Sequence, residues 1–513
     1  MLLAALLLIA VVLILASVLT VSDNLIQIEA KKHGIDTVKN NLSIFPDMSN
    51  IAGKPAPSFA DKANFHNLKK GHDIKLAGKA TGVNNSISVS RYAMKPTDFR
   101  GIAPIPKMEV AVGDEVKAGE PIFFDKQSPD IKHVAPVSGE IVELRRGAKR
   151  AVTHIVILAD KTQQYHQNEV LNLANTSRDA LVTYMKSSGG WTLINQRPFD
   201  IIPDPSIVPD NIFISTFSTA PLAPSYNHLV EGRANDLQSA VDALSILTSG
   251  KVYLGLDGRK VAPSPALTGI NGAEKHYFNG KHPAGNVGVQ IHHIAPIKNT
   301  GAVWTLTLEN ALALGHLVRT GQYNTSKIVA LTGAQFETPQ LVKTYAGASI
   351  DELTKGNLKS EGTSRMIEGD VLSGKTLGED DFVGSGVSQI TSIKEGDDYE
   401  LFGWLLPIKP RPSISRTMPG FLMPRMEYEA NTNTHGEKRA FVVTGQYEKM
   451  MPMDILPQHL MKAIMAGDIE RMEGLGINEL SEEDVALAEF SCTSKMPLQE
   501  ILRDGLDMMR EQA

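Results

Sequence analysis

Residues 2–21 of this 513-residue chain read LLAALLLIAVVLILASVLTV, twenty positions without a charge. A helix rises about 1.5 Å per residue, so such a run matches the roughly 30 Å hydrocarbon core of a bilayer. A cleaved secretory leader needs a basic start, a shorter apolar core and a small-residue cleavage site, and the segment offers none of these. No Lys or Arg precedes the run, while Lys31, Lys32 and Lys39 follow it. The positive-inside rule then places the N-terminus outside and the bulk of the chain in the cytoplasm. The sequence predicts one transmembrane helix over 1–21 and a juxtamembrane linker over 22–65, interrupted by Pro46, Pro55 and Pro57.

Beyond the linker the composition is globular, with 42% hydrophobic and 21% charged residues. A net charge of −6 with scattered basic residues gives no stripe suited to nucleic acid. The single cysteine, Cys492, excludes disulfides and cysteine-ligated iron–sulfur clusters held within this chain.

Residues 110–144, VAVGDEVKAGEPIFFDKQSPDIKHVAPVSGEIVEL, hold two short apolar runs with turns at Gly113-Asp114 and Gly119. Val110, Val112, Val116, Ile122 and Phe124 are expected to face a core. The pattern resembles the barrel-sandwich hybrid of biotinyl and lipoyl carriers, in which a lysine at a tight hairpin tip holds the cofactor. Here that lysine is Lys126, ten residues before Pro136, with Pro129 interrupting the hairpin. A loop of that kind is too long and irregular for a carrier tip, so an unmodified docking module is expected.

The chain is read as an α+β multidomain protein. A barrel-sandwich domain spans 66–160, and an α/β domain spans 161–324, with apolar strands at 212–216, 251–256 and 303–308 and a helix from Asn235 to Leu247. A β-grasp domain follows over 325–380, where SKIVALTG reads as a strand and LVKTYAG and ASIDELTKG as helical. Helices close the chain over 381–513, one capped by Asp454 and one opened by a capping box from Ser481 to Asp484.

Several motifs occur in order: LKKGHDIKLAGKA at 68–80, SGGWTLINQRPF at 188–199, KHYFNGKHPAGNVGVQIHHIAP at 275–296, LTGAQFETPQLVKTYAGASIDEL at 331–353 and YEKMMPMDILPQHLMKAIMAGD at 447–468. Together they resemble the NqrA family, one of the subunits of the Na⁺-translocating NADH:quinone oxidoreductase, over roughly residues 66–513. The resemblance implies a bacterial inner-membrane complex that couples NADH oxidation and quinone reduction to Na⁺ export. It implies partner subunits B to F carrying the NADH site, flavins and iron–sulfur, and a chain with no cofactor of its own that is inactive alone. It further implies an α/β domain related to the FMN-binding subunit of complex I and a β-grasp domain of the soluble-ligand-binding (SLBB) kind. The family's C-terminal cysteine pair is reduced here to Cys492 alone, so metal or redox chemistry on such a pair is not expected. A non-catalytic scaffold role in the same complex stands as the alternative.

No nucleophile–base pair or phosphate loop points to independent catalysis. The nearest glycine-rich candidate, Gly269-Ile-Asn-Gly272, reads as a turn. His276, His282, His292 and His293 cluster within eighteen residues. Adjacent residues on a strand face opposite ways, so His292 and His293 do not share a metal, and no metal site is expected. Gly285 and Gly288 would let the backbone approach another surface. A quinone needs an apolar slot with one or two hydrogen-bond donors. The residues read for that role are Trp191, Arg197 and Phe199, then Tyr92 and Met94, then His282 and His292. The competing structural reading makes Trp191 and Phe199 core residues and Arg197 an interdomain ion pair.

Overall fold

The computed structural model describes residues 2–32, 55–297, 301–360, 362–378, 380–397, 410–414, 420, 423 and 425–512. They form two compact units, 1–56 and 57–513. In the first, Leu2–Lys32 is a single helix, which continues past the expected span into the expected linker. The remainder of that linker, with Lys39, falls at 33–54, outside the described residues. Several side chains of the helix are also outside them. Among those described, Ile9, Val11, Leu13, Ile14, Val18 and Val21 are exposed. Among the described residues no helix is long and apolar enough to cross a membrane. The helix is established; the membrane crossing is not.

In the second unit, two small antiparallel sheets build the sandwich. Lys107–Met108, Pro121–Asp125 and Ser128–Val134 form one, and Arg91–Met94, Val152–Ala159, Gly139–Arg146 and Glu115–Val116 the other. Gly113 and Gly119 sit at φ 96° and 87°, the left-handed turns their sequence context calls for. The core alternation is corrected at two places. Val112 is 58% exposed, and Phe123 rather than Phe124 is the buried phenyl, because the register slips between Pro121 and Phe123. The hairpin is corrected too. Asp125 pairs with Ser128, so Lys126 and Gln127 form a two-residue turn rather than a long loop. Pro129 is tolerated because Ser128–Val134 lies at the edge of its three-stranded sheet, where a missing N–H breaks no ladder bond.

The β-grasp sheet runs Lys375–Thr376, Ser364–Glu368, Gln389–Lys394, Ser326–Thr332, Gln340–Tyr345 and Val83–Asn84. The helix Ile350–Thr354 lies in the ASIDELTKG stretch. LVKTYAG, expected as helical, is mostly strand: Leu341, Val342 and Thr344 are buried while Lys343 is exposed against antiparallel Ser326–Thr332. Lys95 joins this domain to the sandwich. Its buried ammonium lies 3.2 Å from Glu368 and 2.8 Å from the Phe382 carbonyl.

The α/β domain holds a six-stranded sheet in the order Phe65–Asn67, Ala273–Asn279, Val252–Asp257, Asn211–Ser215, Val303–Thr307, Asn195–Arg197. All neighbours are parallel except the last pair. Ile212, Ile214, Leu254 and Leu256 are buried, as strands covered on both faces require. Helices Arg178–Ser187, Ala234–Leu247 and Leu308–Thr320 pack on one face, and Val287–Ile294 meets Phe213, Tyr253 and Val303 on the other. From Asn211–Ser215 the chain adds strands to one side and then returns to place Val303–Thr307 on the other. The switch point of the topology therefore lies between those two strands.

Helices Tyr447–Met450, Pro457–Met465, Ile469–Gly474, Glu482–Ser491 and Leu498–Gln512 close the chain around Met450, Met461, Leu487 and Leu502. Asp454 does not cap: the helix opens at Pro457 with Leu456 in the cap position. The capping box from Ser481 to Asp484 is present.

Candidate functional site

The loops at the carboxyl ends of Asn211–Ser215 and Ala273–Asn279 meet over the carboxyl edge of the sheet, the edge at which open α/β sheets bind ligands. The first contributes Thr219 and the second His282, whose peptide bond to Pro283 is cis. The KKG motif holds the second loop from outside. The His282 backbone N–H donates to Asp73 Oδ1 at 2.9 Å, and the His72 N–H donates to the His282 carbonyl at 2.9 Å. A side chain on Gly71 would collide with that carbonyl.

His282 is buried, and its Nδ1 lies 3.2 Å from Thr219 Oγ1. Thr219 Oγ1 accepts the Gly285 N–H at 2.9 Å, which leaves the hydroxyl proton free for His282 Nδ1. That tautomer carries its proton on Nε2, and Nε2 has no hydrogen-bond partner among the described residues. Burial lowers the imidazole pKa against the opposing pull of the Asp370, Asp73 and Asp484 carboxylates. A neutral ring with one unpaired N–H is set to donate to a neutral acceptor such as a carbonyl oxygen. The β-grasp domain closes over the same loop, Gln389 Nε2 donating to the Pro221 carbonyl at 3.0 Å.

The next helix, Val287–Ile294, begins at Asn286 after a glycine-containing loop on a parallel strand. Such a terminus attracts anions, and here it meets a carboxylate of the same chain. A Cβ on Gly288 would collide with Asp484, and one on Gly285 with the backbone at Ser218 and Thr219. Both glycines thus allow the close approach expected of them. Asp484 Oδ2 accepts from Arg197 Nη1 at 2.8 Å and from the Ser481 N–H at 2.9 Å; Oδ1 faces Asn286 Nδ2 at 3.3 Å. Arg197 also donates to the Glu479 carbonyl at 2.8 Å and to Ser481 Oγ at 2.7 Å. Its guanidinium joins the α/β domain to the C-terminal helices.

Of the seven residues read as quinone contacts, Arg197 is hydrogen-bonded to Asp484, and His282 feels the charge of the same carboxylate. His292 is close by in sequence and space, its Nδ1 2.6 Å from Glu479 and its Nε2 accepting the Asp454 N–H at 3.0 Å. Phe199, at φ 81°, packs partly buried against the C-terminal helices. Trp191 is fully buried, donates to the Pro203 carbonyl at 2.9 Å and stands edge-on to Trp304 at 5.2 Å. Tyr92 and Met94 belong to the core shared by sandwich and β-grasp, Tyr92 facing Thr344 at 3.4 Å. His292 and His293 lie on a helix, not a strand, with rings 5.2 Å apart. Among the described residues no group of His, Cys, Asp or Glu is arranged to hold a metal. Sequence reasoning does not reach Thr219, Asp73, Asp370 and Asp484 as site residues. Of these, Asp73 in KKGHD and Asp484 in the capping box carry a visible signal.

Comparison with known proteins decides the family. Residues 66–160 match the NqrA N-terminal barrel-sandwich hybrid domain, 176–323 the NqrA second alpha/beta domain and 328–378 the NQRA C-terminal domain. The corresponding subunit of the Na(+)-translocating NADH-quinone reductase of Vibrio atlanticus (strain LGP32) is 35% identical over 449 residues, 87% of this chain and 99% of its own. The chain belongs to the NqrA family. A second NqrA relative, from Actinobacillus pleuropneumoniae serotype 5b (strain L20), is 36% identical over 452 residues, 87% of this chain and 99% of its own length. A solved NAD+-reducing [NiFe]-hydrogenase aligns with a TM-score of 0.33 at 11% identity over 68% of each chain, a likeness too low to bear on the fold.

Proposed function

We propose that this chain is the NqrA subunit of a respiratory Na⁺-translocating NADH:quinone reductase, and that it serves the quinone-reducing end of that complex. The observation that carries the reading is the 35% identity across 99% of a curated NqrA relative. Its partners are the complex's other subunits, which hold the NADH, flavin and iron–sulfur sites, and it does not turn over NADH alone. The complex sits in a bacterial inner membrane with the bulk of this chain on the cytoplasmic side. Residues 2–21 are proposed as a single span. In support, the described apolar side chains of Leu2–Lys32 are exposed, an arrangement that favours lipid over water.

For quinone, His282 is proposed as the donor to a ring carbonyl. It is the imidazole whose buried Nε2 lacks a partner among the described residues, whereas His292 and Trp191 are already hydrogen-bonded. The scaffold reading draws support from those satisfied groups and from the Arg197–Asp484 junction. The two readings separate in the assembled complex. His282→Phe should raise the quinone KM about tenfold, one hydrogen bond to a neutral group being worth roughly 1–1.5 kcal/mol, with the NADH KM unchanged. His282→Asn, which can still donate, should recover part of the loss. Equal quinone KM in wild type and His282→Phe would leave the scaffold role.

A further inference from the structure

Within a chain of net charge −6, the hairpin joining Gly139–Arg146 to Val152–Ala159 has the tip Arg145-Arg146-Gly147-Ala148-Lys149-Arg150. Arg145 is neutralised, its guanidinium 2.9 Å from Asp380 and 3.0 Å from Glu143. Among the described residues the other three cations have no carboxylate within ion-pair distance. Arg146 donates to the Arg150 carbonyl, at 3.2 Å. Lys149 and Arg150 are exposed and take left-handed backbone conformations, φ 53° and 64°. Gly or Asn adopts that conformation with less strain. Two long cations occupy positions where the backbone alone would favour neither. The strain is local, and what it gains is a projecting, unpaired positive tip.

An exposed apolar side chain lies on a loop tied to the base of this hairpin. The Val152 N–H donates to the Pro104 carbonyl at 3.2 Å, which ties the loop 101–106 to the hairpin base, and Ile105 on that loop is 39% exposed. Three cations without a carboxylate partner among the described residues thus stand at exposed positions of one hairpin tip, with an exposed apolar residue on the loop tied to its base. They suit a flat, laterally mobile anionic surface with an apolar layer beneath it.

We infer that the 145–150 hairpin tip, with Ile105, docks on anionic lipid headgroups. The inference rests on the membrane-complex reading only for where such a surface is met. Cations near an anionic bilayer each add about fivefold to binding, and the effect fades beyond a Debye length.

The test places an environment-sensitive dye on Ala148→Cys in the full chain. The native Cys492 is buried, so labelling is confined to the tip. Phosphatidylglycerol-containing vesicles should blue-shift the dye, pure phosphatidylcholine vesicles should not, and high salt should reverse the shift. Adding Lys149→Ala and Arg150→Ala should weaken the lipid-dependent shift by about 25-fold in midpoint, with the melting temperature unchanged because both side chains are exposed. A dye that stays unshifted with anionic vesicles, or shifts equally on neutral ones, overturns the inference, even if residues 2–21 anchor the chain. An unchanged shift in the double variant, combined with loss of co-purification with other proteins of the complex, would assign the tip to an acidic protein partner instead.

Discussion

Removing the Asp484 carboxylate tests whether the α/β domain and the C-terminal helices are held together as described. Arg197 is 1% exposed, and Asp484 is its shortest carboxylate partner, at 2.8 Å; Glu483 lies at 3.3 Å. In Asp484→Ala the guanidinium keeps the Glu479 carbonyl, Ser481 Oγ and the 3.3 Å contact with Glu483 but loses its shorter, fully buried carboxylate partner. The capping box loses the side chain that accepts the Ser481 N–H. Breaking one side of a buried ion pair costs about 3–5 kcal/mol. The three retained hydrogen bonds place this variant near the lower end, about 3 kcal/mol. At about 2–4 °C per kcal/mol for domains of about 150–250 residues, the melting transition should fall by roughly 6–12 °C. Formate or sulfate should restore part of it, because the converging helix N-termini and the guanidinium still attract an anion. The double variant Arg197→Met/Asp484→Leu should be milder than Asp484→Ala, since an apolar pair leaves no stranded charge. Thermal unfolding followed by circular dichroism, with limited proteolysis between 425 and 480, reads all three. A drop below about 1 kcal/mol in Asp484→Ala, or a double variant worse than the single one, would refute the reasoning.

Two further outcomes follow from buried polar groups. His133 is 1% exposed, stacked on Phe123 at 4.3 Å, and burial pushes its imidazole down to about 3. Because the folded pKa lies below the unfolded value of 6.5, the stability is whole above pH 6.5 and is lost as pH falls toward 3, at up to about 1.4 kcal/mol per pH unit. His133→Phe should flatten the fall in melting temperature with acid. Lys95→Met should cost about 3 kcal/mol in urea titration, since it strands Glu368 at 3.2 Å with Asp98 and Asp381 near by. A loss under about 1 kcal/mol would mean the sandwich and β-grasp are joined elsewhere.

Local chemistry is legible in the sequence, and long-range pairing is not. The capping box from Ser481 to Asp484 declares a helix start, and apolar runs at 212–216, 251–256 and 303–308 give the parallel strands to within a residue. That Asp484 serves Arg197, 287 positions away, leaves no local trace. Gln340–Tyr345 reads as helix because its alternation is confined to Val342–Thr344, too short to separate period 2 from period 3.6. The Lys126 turn is hidden by Pro129, harmless only because its strand lies at a sheet edge, a fact of topology rather than spacing. His282 can be named from its motif. Its free Nε2 cannot, because that depends on Thr219, 63 positions away.

The central claim is that this chain works as the NqrA component of a Na⁺-dependent NADH:quinone reductase. The direct measurement is to tag it, solubilise the membranes of its source organism, and assay the purified material for NADH:quinone reduction with and without Na⁺. Na⁺-stimulated activity is expected in the tagged complex and none from the isolated chain. NADH turnover by the chain alone, or a tagged complex with no Na⁺-stimulated activity, would contradict it.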